Sequence, residues 1–314
     1  MKKNLILPAL MLPLALTFTS CLKSEGNRQE STINYGNTLC FNYVTDLQDP
    51  SAAFVSRAPQ YTFNVEFYGS TIAASMSNIR LTPDGPALTF RTPELTMSTA
   101  TTGYTLYANA SDVIPEGQTQ SYVFNNLTLG IIERSILNSS GAYKYSPVYN
   151  ISYTVNNRYH IKVFPTYYDV VGMVTSTGTG TTETYESNKA ILSLTLSPSE
   201  TAPTTGKAAI ELFDVKYNSD VTISRILAED VPYTVTSSGI RINTDNETVY
   251  KIKDTTGREI AGAGLSDINI NVAVPGGSTS FSMHANITGL QGNTTQTDYD
   301  LRGNMSYYYS SSTN

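Results

Sequence analysis

Tyr61-Thr62-Phe63-Asn64-Val65-Glu66-Phe67 sets four apolar side chains alternately with three polar ones. A period of two is the mark of a half-buried β-strand, because successive side chains leave opposite faces of the backbone. The same alternation recurs where Tyr149, Ile151, Tyr153 and Val155 are interleaved with Asn150, Ser152 and Thr154. It recurs again in Ile191-Leu192-Ser193-Leu194-Thr195-Leu196 and in Ile268-Asn269-Ile270-Asn271-Val272. No segment holds a 3.6-residue period over a dozen residues; the nearest, residues 131–137, is one short stretch. Thr, Ser, Asn and Gly fill the intervals, as turn chemistry requires. The pattern predicts an all-β body of antiparallel sheets.

The chain has 314 residues, of which 40% are hydrophobic, including 22 Tyr and 10 Phe and no Trp. That is enough apolar material for sizeable cores, and the length suggests two domains. Three short markers recur in one order. Phe67-Tyr68-Gly69-Ser70 answers to Lys216-Tyr217-Asn218-Ser219, Asn126-Leu127-Thr128 to Asn286-Ile287-Thr288, and Asn150-Ile151-Ser152-Tyr153 to Asn304-Met305-Ser306-Tyr307. They favour two tandem domains of similar topology, at 35–165 and 166–314, with the strand 167–174 assignable to either. Residues 175–187 read as a hairpin in preference to a linker, and 197–206 as a second hairpin. Ala190-Ile191-Leu192-Ser193-Leu194-Thr195-Leu196 followed by Gly206-Lys207-Ala208-Ala209-Ile210-Glu211-Leu212 resembles the calycin-like β-barrel domains found in some envelope lipoproteins. That resemblance implies an antiparallel barrel, with a two-sheet β-sandwich as its competitor.

At the start, Lys2 and Lys3 precede an apolar run of about 14 residues, short of the roughly 20 that cross a bilayer as a helix. Residues 1–20 read as a secretory signal. Phe18-Thr19-Ser20-Cys21 resembles the lipobox of bacterial lipoproteins, with Phe18 where Leu is usual. The resemblance implies that Cys21 is lipidated, anchoring the chain to a membrane; ordinary cleavage to a soluble secreted protein is the alternative. Residues 21–34, polar and poor in core-forming side chains, read as a flexible tether. Together these features resemble Bacteroidetes-type envelope lipoproteins, which implies an outer-membrane address on the periplasmic face or at the cell surface. The formal net charge of −6 argues against a nucleic-acid partner.

Catalytic residue types are scarce: two His and two Cys. His160 and His284 sit singly in alternating stretches, without the His-x-His or His-x-x-x-His spacing of a zinc pair, and read as solvated strand residues. Cys40, left without a partner once Cys21 is acylated, reads as a small buried apolar side chain; a thiolate paired in space with either His is the functional alternative. No Gly-x-Ser-x-Gly elbow occurs, and Ser20-x-x-Lys23 straddles the cleavage site. Asp298 with Asp300 and Asp245 with Glu247 are candidate weak calcium ligands or solvated loop carboxylates. Gly262-Ala263-Gly264 reads as a turn, and Asp254-Thr255-Thr256 resembles the short O-glycosylation signal of Bacteroidetes secreted proteins. No catalytic residue, metal or cofactor is expected.

Tyrosine is the one unusual resource. Tyr143, Tyr145, Tyr149 and Tyr153 crowd one region, and Tyr307 and Tyr309 the end of the second domain. Flat rings with a polar tip can stack on sugars or line an apolar cavity, or simply pack at sheet edges. These six are the candidate ligand-binding residues. The expected role is a non-enzymatic one, binding a glycan or an apolar small molecule; the alternative is a structural or adhesive envelope component acting through contacts with a protein partner.

Overall fold

Each alternating stretch is a strand, and no helix occurs among the described residues. The structure is a computed structural model; it describes residues 30–35, 40–56, 58–66, 70–98, 106–117, 121–137, 143–177, 183–187, 190–254, 256–274, 279–289 and 298–306. Cys21, Tyr307, Tyr309 and Thr255, with the signal and most of the tether, lie outside them.

The first domain is a two-sheet sandwich. Its strands are β1 (Glu30–Tyr35), β2 (Cys40–Asp46), β3 (Asp49–Ser56), β4 (Gln60–Glu66), β5 (Thr71–Ile79), β6 (Leu88–Arg91), β7 (Leu95–Thr96), β8 (Leu106–Ala110), β9 (Phe124–Leu137), β10 (Tyr143–Val155) and β11 (Tyr159–Pro165). One sheet runs β1-β4-β5-β6 with β7 also on β5, and the other runs β3-β2-β11-β10-β9-β8. Between them the apolar halves of the alternating strands meet. Tyr61, Phe63, Val65, Ile72, Ala74, Met76 and Phe90 from one sheet pack on Val44, Phe54, Leu129, Ile151, Tyr153, Ile161 and Val163 from the other. Phe124 stands between Phe90 and Tyr153, with ring centroids 5.1 and 5.0 Å away. Burying one such side chain contributes about 1.5–3 kcal/mol.

Strand β1 corrects the expected extent of the tether. Residues 30–34 pair antiparallel with β4, placing Ile33 opposite Phe63 and Tyr35 opposite Tyr61. An edge strand needs few apolar residues, so Glu30-Ser31-Thr32-Ile33-Asn34-Tyr35 looks like linker by composition alone.

The second domain is a closed barrel. It comprises β12 (Tyr167–Thr177), β13 (Thr184–Ser187), β14 (Ile191–Pro198), β15 (Thr205–Lys216), β16 (Thr222–Thr236), β17 (Gly239–Asn243), β18 (Tyr250–Lys253), β19 (Glu259–Ala273), β20 (Thr279–Asn286) and β21 (Asp298–Ser306). The antiparallel order is β12-β14-β15-β16-β17-β19-β20-β21, with β13 also on β12, and β21 returns to β12, so the sheet has no free edge at the closure. Strands β17 and β18 bridge β16 to β19 at different heights. Inward positions such as Leu192, Leu194, Ile210, Leu212, Ile226, Ile270, Phe281 and Leu301 are buried and fill the interior. Gly239, at φ 140°, closes the β16–β17 hairpin; a Cβ there would lie 2.0 Å from the Val272 carbonyl oxygen, so only glycine fits.

Both architectures held open by the sequence therefore occur, one in each domain, and the expectation of two similar topologies is not met. The recurring words do not occupy equivalent places: Asn126 lies within β9, whereas Asn286 is the last residue of β20. In a chain rich in Asn, Ser, Thr and Tyr, such words recur by composition. The sheets change between Pro165 and Tyr167, and β12 is a barrel strand; β12 and β13 pair as a hairpin, as do β14 and β15.

The domains share a wall. On β2, Cys40 and Val44 face the sandwich core, while Phe41 and Tyr43 on the opposite face join the barrel's core cluster. Ala53 and Val55 of β3 and Phe164 of β11 join that same cluster. Phe41 and Phe164 stack with centroids 5.5 Å apart, and the Tyr43 hydroxyl donates to the Thr236 carbonyl at the end of β16. Two-sided burial explains why Cys40-Phe41-Asn42-Tyr43-Val44 is apolar almost without interruption.

Candidate functional site

Beside this wall lies an open cleft of about 460 Å3. One side is the end of β3 (Phe54, Val55, Ser56) and the β5–β6 connection (Arg80, Pro83, Asp84); the other is the β14–β15 hairpin (Pro198, Ser199, Glu200, Thr201, Pro203). Both loops are braced from within. The Arg80 guanidinium donates to the Gly85 carbonyl, and the Gly85 amide returns to the Thr82 carbonyl at 3.1 Å. In the hairpin, the Ser199 hydroxyl accepts from the amides of Thr201 and Ala202 at 3.3 and 3.2 Å. Three prolines stiffen the rim by fixing φ.

A polar track runs inward from the cleft. Ser56 is 2% exposed, and its Oγ has no hydrogen-bond partner among the described residues. Opposite it in register stands Asn42, fully buried, whose Nδ2 is likewise unpartnered. The Asn42 Oδ1 accepts from the Tyr61 hydroxyl at 2.9 Å, and Tyr61 and Tyr153 exchange a hydrogen bond at 3.3 Å. Unmet buried polar atoms cost about 1–3 kcal/mol each, and Ser56 Oγ and Asn42 Nδ2 are both closed off from solvent. Burial pushes the Tyr61 and Tyr153 hydroxyls well above the ordinary tyrosine range, so both stay neutral.

Of the six candidate tyrosines, Tyr153 is enclosed in the sandwich core as the inner end of this track, and offers no ring face to a ligand. Tyr143, Tyr145 and Tyr149 take alternate positions of β10, opposite Leu137, Ser135 and Ile131 of β9. The cleft residues were missed from sequence. They come from three distant segments, and no local spacing announces them.

The catalytic alternatives come apart in space. Cys40 faces the sandwich core, whereas His160 alternates with Ile161 and so lies on the other side of the sheet; His284 stands on the barrel. Burial pushes the Cys40 thiol up to about 12, which suppresses the thiolate that attacks electrophiles. In the folded protein, iodoacetamide is expected to modify Cys40 at least about a hundredfold more slowly than in denaturant, read by peptide mass spectrometry. Equal rates would refute its burial.

His284 Nδ1 lies 3.0 Å from Asp300, and its Nε2 lies 3.4 Å from Asp298, so the carboxylates flank opposite edges of the ring and do not converge on one point. Asp245 accepts from the Thr248 amide at 2.7 Å, which holds its carboxyl below the ordinary range. Asp254 accepts from the Thr256 amide and hydroxyl at 2.8 and 2.6 Å. These are turn-forming roles. A further residue escaped the sequence reading: Lys162, 9% exposed, donates to Asn150 Oδ1 at 2.7 Å, and burial pushes its ammonium down to about 8.

Comparison with protein-family models, curated proteins and solved structures finds no match.

Proposed function

We propose that the chain is a lipid-anchored cell-envelope protein with a non-catalytic ligand-binding role, held at the outer membrane through Cys21. The interdomain cleft is the observation that carries the binding role: a concave site of the usual size for a small ligand, formed where two domains meet. The sequence admits a glycan or an apolar small molecule, and the interior of the barrel, filled by Leu212, Ile226, Phe281 and Leu301, supports a cleft site for either. The scarcity of His and Cys and the dispersal of Cys40, His160 and His284 support a role without catalysis. One observation favours the structural or adhesive reading: β10 pairs with β11 only from Ile151 onward, so among the described residues its segment 143–150 is bonded to β9 alone and leaves an edge for a partner strand.

Two measurements test the reading. Cys21→Ala should release the protein from the membrane fraction and remove the lipid mass; persistence at the membrane would defeat the anchor. Calorimetric titration of detergent-solubilised full-length protein with glycans and apolar probes should find a ligand whose affinity drops about tenfold or more in Arg80→Ala. Binding that ignores Arg80 would move the site elsewhere.

A further inference from the structure

Resting on the lipid anchor just proposed, we infer that the sandwich is the membrane-proximal domain: the row Glu30, Glu66, Thr71 and Thr96 is held next to the lipid headgroups, and the barrel and the cleft are carried away from the bilayer. Strand β1 sets the distance. It begins at Glu30, so only residues 22–29 separate it from a lipid on Cys21, and that length of chain reaches about 30 Å at full extension. Glu30 pairs with Glu66, Glu66 with Thr71, and Thr71 with Thr96. Strands β1, β4, β5 and β7 are therefore tied to the anchor at one level of their sheet.

The cleft lies at the other end of the same sheet. Strand β5 runs nine residues from Thr71 to Ile79, about 25–30 Å, before Arg80 enters the cleft rim. The barrel lies across the sandwich from the anchored row. It packs on the outer face of the second sheet through Phe41, Tyr43, Val55 and Phe164, and none of the described buried residues of β4, β5 or β6 joins that shared cluster. The barrel also meets the wall end-on, since the β14–β15 hairpin lines the cleft and Thr236 at the end of β16 accepts from Tyr43. The β15–β16 turn around Ser219 is then at the far end, about 30 Å further on for the 12 residues of β15 at the usual barrel tilt. A tether shorter than the body it holds keeps the attached row at the surface and lets the far turn stand off.

The test is energy transfer on full-length lipidated protein, extracted in detergent and reconstituted into phosphatidylcholine–phosphatidylglycerol vesicles whose headgroups carry the acceptor. The donor dye is placed by Thr96→Cys or by Ser219→Cys, both exposed positions, while burial keeps the Cys40 thiol from reacting. Transfer should be at least about threefold more efficient from position 96 than from position 219. An insertion of about 20 Gly and Ser residues after Ser24, which roughly triples the reach of the tether, should at least halve the signal from position 96; an unchanged signal would overturn the tether as its cause. Equal transfer from the two positions, or stronger transfer from 219, in protein that still floats with the vesicles would overturn the orientation and leave the anchor standing. Protein that fails to float with the vesicles would overturn both.

Discussion

Phe164→Ala is expected to cost about 3–5 kcal/mol of stability and to split one unfolding transition into two. Phe164 is 1% exposed, stacks on Phe41 at an interplanar angle of 18°, and belongs to the cluster that runs through the barrel. Its neighbours on β11, Ile161 and Val163, point the other way into the sandwich. Truncation therefore leaves each domain's own core nearly intact and opens a void in the wall they share, which is what couples their unfolding. Ile161→Ala, on the opposite face of the same strand, should destabilise the sandwich by about 2–5 kcal/mol without loosening the joint. A double-mutant cycle with Phe41→Ala isolates the stack, since the two rings touch. The chain has no Trp, so tyrosine fluorescence and far-ultraviolet circular dichroism across a urea series are the readouts. A loss under 1 kcal/mol with a single unchanged transition would show that the domains do not depend on this wall.

Side-chain period was the part of the fold legible in the sequence. Tyr61 to Glu66 and Ile268 to Val272 announce strands because one face of each is buried and the other is not. Strand β2 announces something further: Phe41 and Tyr43 are as apolar as Cys40 and Val44, the signature of burial on both faces, and the structure shows the two cores responsible. Closure of the barrel was not legible, since the pairing of β12 with β21 joins the two ends of the domain and leaves no local mark. The cleft was hidden for the same reason. Ser56, Arg80 and Glu200 are ordinary surface-type residues in sequence, and only the packing of a hairpin beside the shared wall brings them together. Part of the tyrosine abundance has a structural use: Tyr43, Tyr61 and Tyr153 fill volume that Phe or Trp would fill, while their hydroxyls bond within the fold.

Stability should rise with pH between about 8 and 10, and Lys162 should be the cause. Folding moves this ammonium from an ordinary 10.5 down to about 8. Between those values the unfolded chain holds the proton and the native state has released it, so ν_U exceeds ν_N and stability increases with pH. Below pH 8 both states are charged, and the native state bears the full cost of a buried ammonium with one good acceptor, Asn150. The size is ~2–3 kcal/mol across the window. Tyrosine sets the upper limit: the hydroxyls of Tyr61, Tyr153 and Tyr217 are held neutral by burial, so ionisation of the unfolded chain above about pH 10 pulls stability down again. His160, pushed below its ordinary 6.5 by burial and then by Lys162, adds a rise of the same sign in a separate, more acidic window. Lys162→Met keeps the aliphatic volume and removes the charge. It should raise stability at pH 7 by ~2 kcal/mol and flatten the curve from pH 8 to 10, while leaving the fall above pH 10 in place. Urea midpoints at pH 7, 8, 9 and 10 for both proteins decide it: a native curve that is flat or falling from 8 to 9.5, or a methionine variant that keeps the rise, would remove Lys162 as its source.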